Sequence, residues 1–242
     1  MGRLTAGCTL ASAALLAGCG LLDAPPPGPA PSPGPSVNVV SNGGFEDGDA
    51  PWAYKQSPNW NAFAISDTVA HSGNHSLELN LRGDDAASGG NIVGAYAALN
   101  ATEFPEYLSG YYRVDSWNPH AGFQYLQFVV IVRGGDFGSE FDVIEIRFAL
   151  AGINREPFNI SNARFIFLSR DQPKLHQWVY FGYPLRQAFA TRIGKVPTQW
   201  DSIEVFLEVR YDGKTAGSGE SSADAYFDDI YAGPQALNPN HP

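Results

Sequence analysis

The side chains best placed to hold a ligand occupy alternate positions of mixed apolar and polar runs. If Leu108, Leu126, Ile146 and Leu207 point into a core, then Tyr111, Arg113, Trp117, Tyr125, Gln127, Glu145 and Arg147 point away from it, with Phe206 and Glu208 beside them. Aromatic rings lie well against sugar rings, and guanidinium, carboxylate and amide groups bond hydroxyls, so this set reads as a glycan cleft. Aromatic residues are more often core than platform. The alternative is therefore that residues 118–200 cover the face, making Tyr111, Tyr125 and Phe206 a second core layer and the arginines ion-pair partners. Trp52 and Trp60 are alternative platforms, and Trp178 is expected in the core.

Strands must position these groups. Residues 107–117, 123–133 and 203–211 alternate with a period of two, and further strand candidates are 62–66, 76–81, 92–99, 143–150, 164–169, 177–181 and 225–231. Gly, Asn, Asp and Pro clusters separate them, and only 185–193 reads as a short helix. Many short strands with turn signals between them predict an all-β sandwich or barrel formed by residues 37–242.

The ends set the compartment. Arg3, the apolar run 10–16 and Leu16-Ala17-Gly18-Cys19 form a secretory signal over residues 1–18, too short to span a bilayer. Leu-Ala-Gly-Cys resembles a bacterial lipobox, which implies that Cys19 becomes the first mature residue and carries the acyl chains of a membrane anchor. The chain's only other cysteine, Cys8, leaves with the signal, so the exported domain has no disulfide, no thiol nucleophile and no Cys-based zinc site. Between the anchor and the domain, residues 24–36 are rich in proline and read, within 19–36, as an extended tether of roughly 40 Å. Gly20, rather than an aspartate, follows the anchor, so the expected place is the bacterial cell envelope, at the outer membrane or cell surface. A net charge of −10 argues against nucleic acid or an anionic lipid surface as partner and suits calcium and neutral glycans.

Three motifs frame the domain: Asn42-Gly43-Gly44-Phe45-Glu46 near its start, His71-Ser72-Gly73-Asn74-His75-Ser76-Leu77 next, and Tyr226-Phe227-Asp228-Asp229-Ile230 at its close. Together they resemble carbohydrate-binding modules of families 4, 9 and 22. That resemblance implies a galactose-binding-like jelly-roll β-sandwich that binds a polysaccharide or cell-surface glycan without cleaving it. It also implies a structural Ca2+ at the sandwich edge, with Glu46 and Asp228 supplying charge and the carbonyls of Gly44 and Asn74 as neutral ligands. An adhesive envelope role, with another surface protein as partner, fits the same features.

A catalytic alternative rests on Glu140-Phe141-Asp142-Val143-Ile144-Glu145, which is similar to the catalytic strand of laminarinase-type β-glucanases. By that resemblance Glu140 would be the nucleophile, Glu145 the acid/base and Asp142 the group between them. Retaining cleavage needs two carboxyls about 5 to 5.5 Å apart. Glu140 and Glu145 have opposite parity, so a β-bulge at Val143-Ile144 would be required.

Overall fold

The computed structural model describes residues 37–83, 89–120, 122–138, 141–214, 216–217 and 219–236. The signal, Cys19, the tether and Glu140 lie outside the described residues. The strands are β1 (Trp60–Asn61), β2 (Ala64–Ser66), β3 (Ser76–Arg82), β4 (Gly89–Ala98), β5 (Tyr107–Asn118), β6 (Phe123–Arg133), β7 (Val143–Ala151), β8 (Asn159–Ile160), β9 (Ala163–Phe167), β10 (Trp178–Pro184), β11 (Ser202–Lys214) and β12 (Ser222–Gly233). One helix among the described residues, α1 (Leu185–Arg192), follows β10 directly. Both the predicted strands and the predicted helix are present.

Two sheets stack face to face, as the period-two patterns require. One has seven strands in the order β1-β4-β11-β6-β7-β9-β8, and the other has five in the order β10-β5-β12-β3-β2. Strands far apart in sequence are neighbours in both sheets, as in a jelly roll. Leu126, Phe128, Val130 and Val132 of β6, Ile144, Ile146 and Phe148 of β7, and Ile203, Val205, Leu207 and Val209 of β11 point inward and are buried. They meet Leu108, Tyr112 and Val114 of β5, Leu77, Leu79 and Leu81 of β3, and Ala225 and Phe227 of β12 in one apolar cluster. Phe128 stacks on Phe148 at 4.4 Å and on Phe181 at 5.1 Å between ring centroids, so the β6, β7 and β10 side chains interlock across the layer.

The start of the domain is sewn to its end. Val39 N–H donates to the Ala232 carbonyl at 2.9 Å, and Ile230 N–H donates to the Gly43 carbonyl at 2.8 Å. The Asn38 side chain bridges the same strand end, donating to the Ile230 carbonyl at 2.9 Å and accepting from Ala232 N–H at 3.0 Å. Gly43 is required by this close approach, since a Cβ there would stand 2.0 Å from the Ile230 carbonyl oxygen. At Gly44 the nearest atom to such a Cβ is 3.8 Å away, an ordinary contact.

Gly43→Ala is therefore expected to destabilise the fold by about 1–3 kcal/mol, because neither backbone can yield without breaking the seam. Gly44→Ala should cost little when calcium is chelated. Chemical denaturation of the two variants side by side checks both.

Candidate functional site

The structure divides the anticipated cleft between two opposite surfaces. Parity within each strand holds, but β5 pairs with β10 and β12, whereas β6, β7 and β11 lie in the seven-stranded sheet. Tyr111 and Arg113 thus belong to the outer face of the five-stranded sheet and do not join Tyr125, Gln127, Glu145 and Arg147. Trp117 leaves the outer face altogether. The β5–β12 register jumps from Ser116↔Asp224 to Val114↔Ala225, leaving Asp115 as an extra residue, and this bulge reverses the alternation. Trp117 packs on the core instead, and its indole N–H donates to Gln172 Oε1 at 2.8 Å.

On the seven-stranded sheet the remaining residues form one connected chain of polar groups. Arg147 donates to Glu145 Oε2 through Nη2 at 2.6 Å and Nε at 3.0 Å, and its Nη1 lies 3.8 Å from Glu208 Oε2. Glu208 also accepts from Gln127 Nε2 at 2.6 Å and from Arg210 Nη1 at 3.4 Å. Arg210 reaches Asp212 Oδ1 at 3.2 Å, and Asp212 Oδ2 accepts the Tyr125 hydroxyl at 2.6 Å. Burial works against the Arg210 charge, but Glu208, Tyr125 and Asp212 outweigh it and hold the guanidinium protonated. Burial, with Asp212 adding to it, pushes the Tyr125 phenol well up, so it remains a hydrogen-bond donor.

Exposure corrects the expected roles. Tyr125 is 5% exposed and Gln127 0%, so neither offers a stacking face to a ligand, and both form the floor of the site. Glu145, Arg147 and Arg210 keep between 17% and 18% of their side chains accessible, and Asp212 34%. These four are the groups of the row that reach solvent. Phe206 is buried, but it is covered by Tyr96, with rings 4.9 Å apart, and by Trp60 rather than by residues 118–200. Arg210 and Asp212 were legible as the continuation of the Glu204, Phe206, Glu208 parity.

The tryptophans also depart from expectation. Trp52 is buried against Phe45, with its indole N–H on the Asn42 carbonyl at 3.0 Å. Trp60 packs edge-on to Phe206. Trp178, expected in the core, is half-buried on the outer face of the five-stranded sheet, because it pairs with Arg113 across β10 and β5.

The three framing motifs converge at the sandwich edge. Glu46 accepts the Asn74 N–H at 2.9 Å and the His75 N–H at 2.9 Å, and these bonds hold its carboxyl below the usual range, His75 first and Asn74 next. Asp228 is fully buried and accepts three main-chain N–H groups, from His71 at 2.7 Å, Ser72 at 3.2 Å and Asp229 at 2.7 Å. Burial nevertheless pushes its carboxyl up to about 6. Asp229, not singled out by the motif reading, accepts the Ser72 hydroxyl at 2.6 Å and lies 2.6 Å from His71 Nδ1. The space beside Gly44, where a Cβ would stand, is bordered by Asp229 Oδ1 at 3.8 Å, Asp228 Oδ1 at 3.9 Å and Glu46 Cγ at 4.0 Å. Two carboxylate oxygens border this space, while Glu46 turns a carbon to it and its oxygens to Asn74 and His75. Among the described residues no three His, Cys, Asp or Glu side chains converge as metal ligands, so a cation there would also draw on backbone carbonyls such as those of Gly44 and Asn74.

The strand behind the glucanase resemblance is regular where a bulge was required. Val143, Ile144 and Glu145 pair in sequence with Arg133, Val132 and Ile131, and the irregularity of this ladder falls at Leu150. Glu145 accepts two bonds from Arg147, and Glu140 lies outside the described residues.

Fold and site together define a jelly-roll β-sandwich with a polar outer sheet face at its longer sheet. No family model matches the chain, and no curated protein matches it. Solved structures similar to it include TmCBM61 in complex with β-1,4-galactotriose, at 12% identity and TM-score 0.42, covering 83% of this chain and 100% of that one. Another is the CBM22-1 xylan-binding domain of Paenibacillus barcinonensis Xyn10C, at 14% identity and TM-score 0.40, covering 83% and 97%. A third is an endo-β-1,4-glucuronan lyase from the fungus Trichoderma reesei, at 12% identity and TM-score 0.46, covering 82% and 96%.

The Asp228 environment sets a pH dependence. With its carboxyl ordinarily near 3.8 and raised to about 6 in the fold, the folded state holds an extra proton between those values, so stability falls as pH rises through 6. Glu46 works oppositely: its carboxyl is lowered from 4.5, so its contribution is present above that value and is lost as pH falls below it. In chelator, thermal melting should therefore be highest at about pH 4 to 4.5, and Asp228→Asn should flatten the falling limb between about pH 4 and 6.

Proposed function

We propose that this is a non-catalytic glycan-binding domain held at the bacterial cell envelope by an acylated Cys19. The observation that carries the reading is the fixed row Glu145, Arg147, Arg210 and Asp212, each held by an ion pair, over a floor of Gln127, Glu208 and Tyr125. Planar groups locked by neighbours lose little entropy when they bond hydroxyls, which is how a site holds a polyol against water. Three carboxylates, Glu145, Glu208 and Asp212, face two guanidinium groups, Arg147 and Arg210, so the row favours a neutral sugar chain over a uronate one. The tightly paired Glu145 is poorly suited to proton transfer, which favours holding over cleaving. Calcium beside Gly44 would bring charge compensation to Glu46, Asp228 and Asp229, and its role is structural.

Affinity electrophoresis of the full chain through gels of neutral xylan, β-glucan and galactan tests the reading. Retention by at least one is expected, weakened about tenfold or more by Arg210→Gln through loss of a charged hydrogen bond, with no reducing ends released. Migration unaltered by every polysaccharide would sink the proposal, and release of oligosaccharides would replace it with catalysis.

Two further outcomes follow from the same reading. Excess chelator should lower the melting temperature, by an amount that grows with the calcium concentration it removes, and Gly44→Ala should abolish that difference by filling the space beside the carboxylates. Cys19→Ser should move the protein from the membrane to the soluble fraction after a salt wash, with the melting curve unchanged.

A further inference from the structure

At one end of the polar row the surface changes character. Tyr125 and Asp212, which terminate the row, also line a cavity of about 140 Å³ whose other walls are mostly apolar, among them Phe123, Ile153, Phe165 and Phe167. Phe158 stacks on Phe165 at 4.3 Å and closes one side. Arg155 lies over the Phe123 ring at 4.0 Å. Phe123 is 43% exposed and Ile160, on the same cavity, 58%, so apolar surface is left in water beside the charged row.

The dimensions and lining restrict what fits. Pockets that enclose a whole small ligand run to roughly 300–1,000 Å³, so this one takes a single group rather than a complete molecule. A sugar ring pressed into it would leave most hydroxyls facing phenyl and alkyl walls, with only Arg155, Asp212 and the Tyr125 hydroxyl as polar partners, and that desolvation is unfavourable. A short acyl or aryl group loses nothing by entering and gains by burial. Resting on the glycan-binding reading, we infer that the cleft selects glycans carrying an apolar substituent, an O-acyl or aryl ester group, which enters the cavity while the sugar backbone lies along Asp212, Arg210, Arg147 and Glu145.

The probes are a naturally O-acetylated xylan, the same xylan after mild alkaline de-esterification, and p-nitrophenyl and methyl β-xylosides, each titrated calorimetrically into the full chain. The acetylated polymer is expected to bind about fourfold tighter per buried methyl group than the de-esterified one, and the aryl glycoside tighter than the methyl glycoside. Ala149→Leu, which fills the cavity from its floor, should erase both preferences while the de-esterified polymer binds as before. Phe165→Ala, which opens the wall, should reduce them if the first variant fails to fold. Equal binding of the acetylated and de-esterified polymers overturns the inference and leaves glycan binding intact. Binding of neither form, in a protein that also ignores the neutral β-glucan and galactan, removes the underlying reading as well.

Discussion

The fold depends on one buried carboxylate. Asp228 sits at 0% exposure near the end of the last strand and gathers the N–H groups of His71, Ser72 and Asp229. Without those donors the carboxylate, buried at the sandwich edge, would be unpaired, and an unpaired buried group costs more than its bond returns. Glu46 performs the complementary task from the other side, accepting the N–H groups of Asn74 and His75. Between them the two carboxylates fix the loop over residues 71–75, and the loop in turn ties the opening turn to β12. The difference in environment explains their opposite titration. Glu46 is solvated and hydrogen-bonded, which favours its charge, while Asp228 pays for its position through desolvation.

The polar row on the seven-stranded sheet obeys a different balance. Removing charges from water usually costs as much as pairing them returns, so the ion pairs of Arg147 and Arg210 are weak grounds for stability. What they supply is orientation. Glu208, at 2% exposure, is held by Gln127 and flanked by both guanidinium groups, and each guanidinium is held in turn by a more exposed carboxylate, Glu145 or Asp212. Solvent therefore meets side chains whose rotamers are already chosen. A sheet is well suited to this, because successive outward residues on neighbouring strands recur at fixed spacings while the inward ones are locked by the Phe128, Phe148 and Phe181 contacts beneath.

Local alternation made the strands and their inward faces legible, since Leu126, Phe128, Val130 and Val132 are buried as their period requires. It could not tell which sheet a strand joins. Sheet membership depends on pairings between residues such as Tyr112 and Val179, or Leu207 and Phe128, that are distant in the chain. For that reason Tyr111 and Tyr125 share a parity but not a surface. Trp117 failed for a subtler reason, because a single extra residue at Asp115 inverts the face of everything after it. Half-burial of Trp178 is likewise a matter of which neighbour it faces, not of its type. The edge motifs were legible as a cluster because turn glycines and acidic residues act over short distances. Asp229 was missed as a functional partner only because its role appears once His71 and Ser72 are folded beside it.

The separation of the two outer faces also explains why their aromatics do different work. On the five-stranded sheet the His71 ring stacks on Tyr111 at 3.6 Å and meets Trp178 edge-on at 5.5 Å, so these rings hold down the loop whose N–H groups Asp228 receives. Tyr111 and Trp178 are thereby committed to the edge clamp, and Arg113 is committed to Asp115 at 2.7 Å. Among the described residues the opposite sheet carries no such loop over Arg147 and Arg210, and its phenyl rings at β9 gather around an opening rather than a backbone turn. The edge clamp and the polar row of the longer sheet are thus placed on opposite surfaces of the sandwich. A substitution in the Asp228 cluster acts on the row only through the shared core, and one in the row leaves the edge seam of Gly43 and Ile230 untouched.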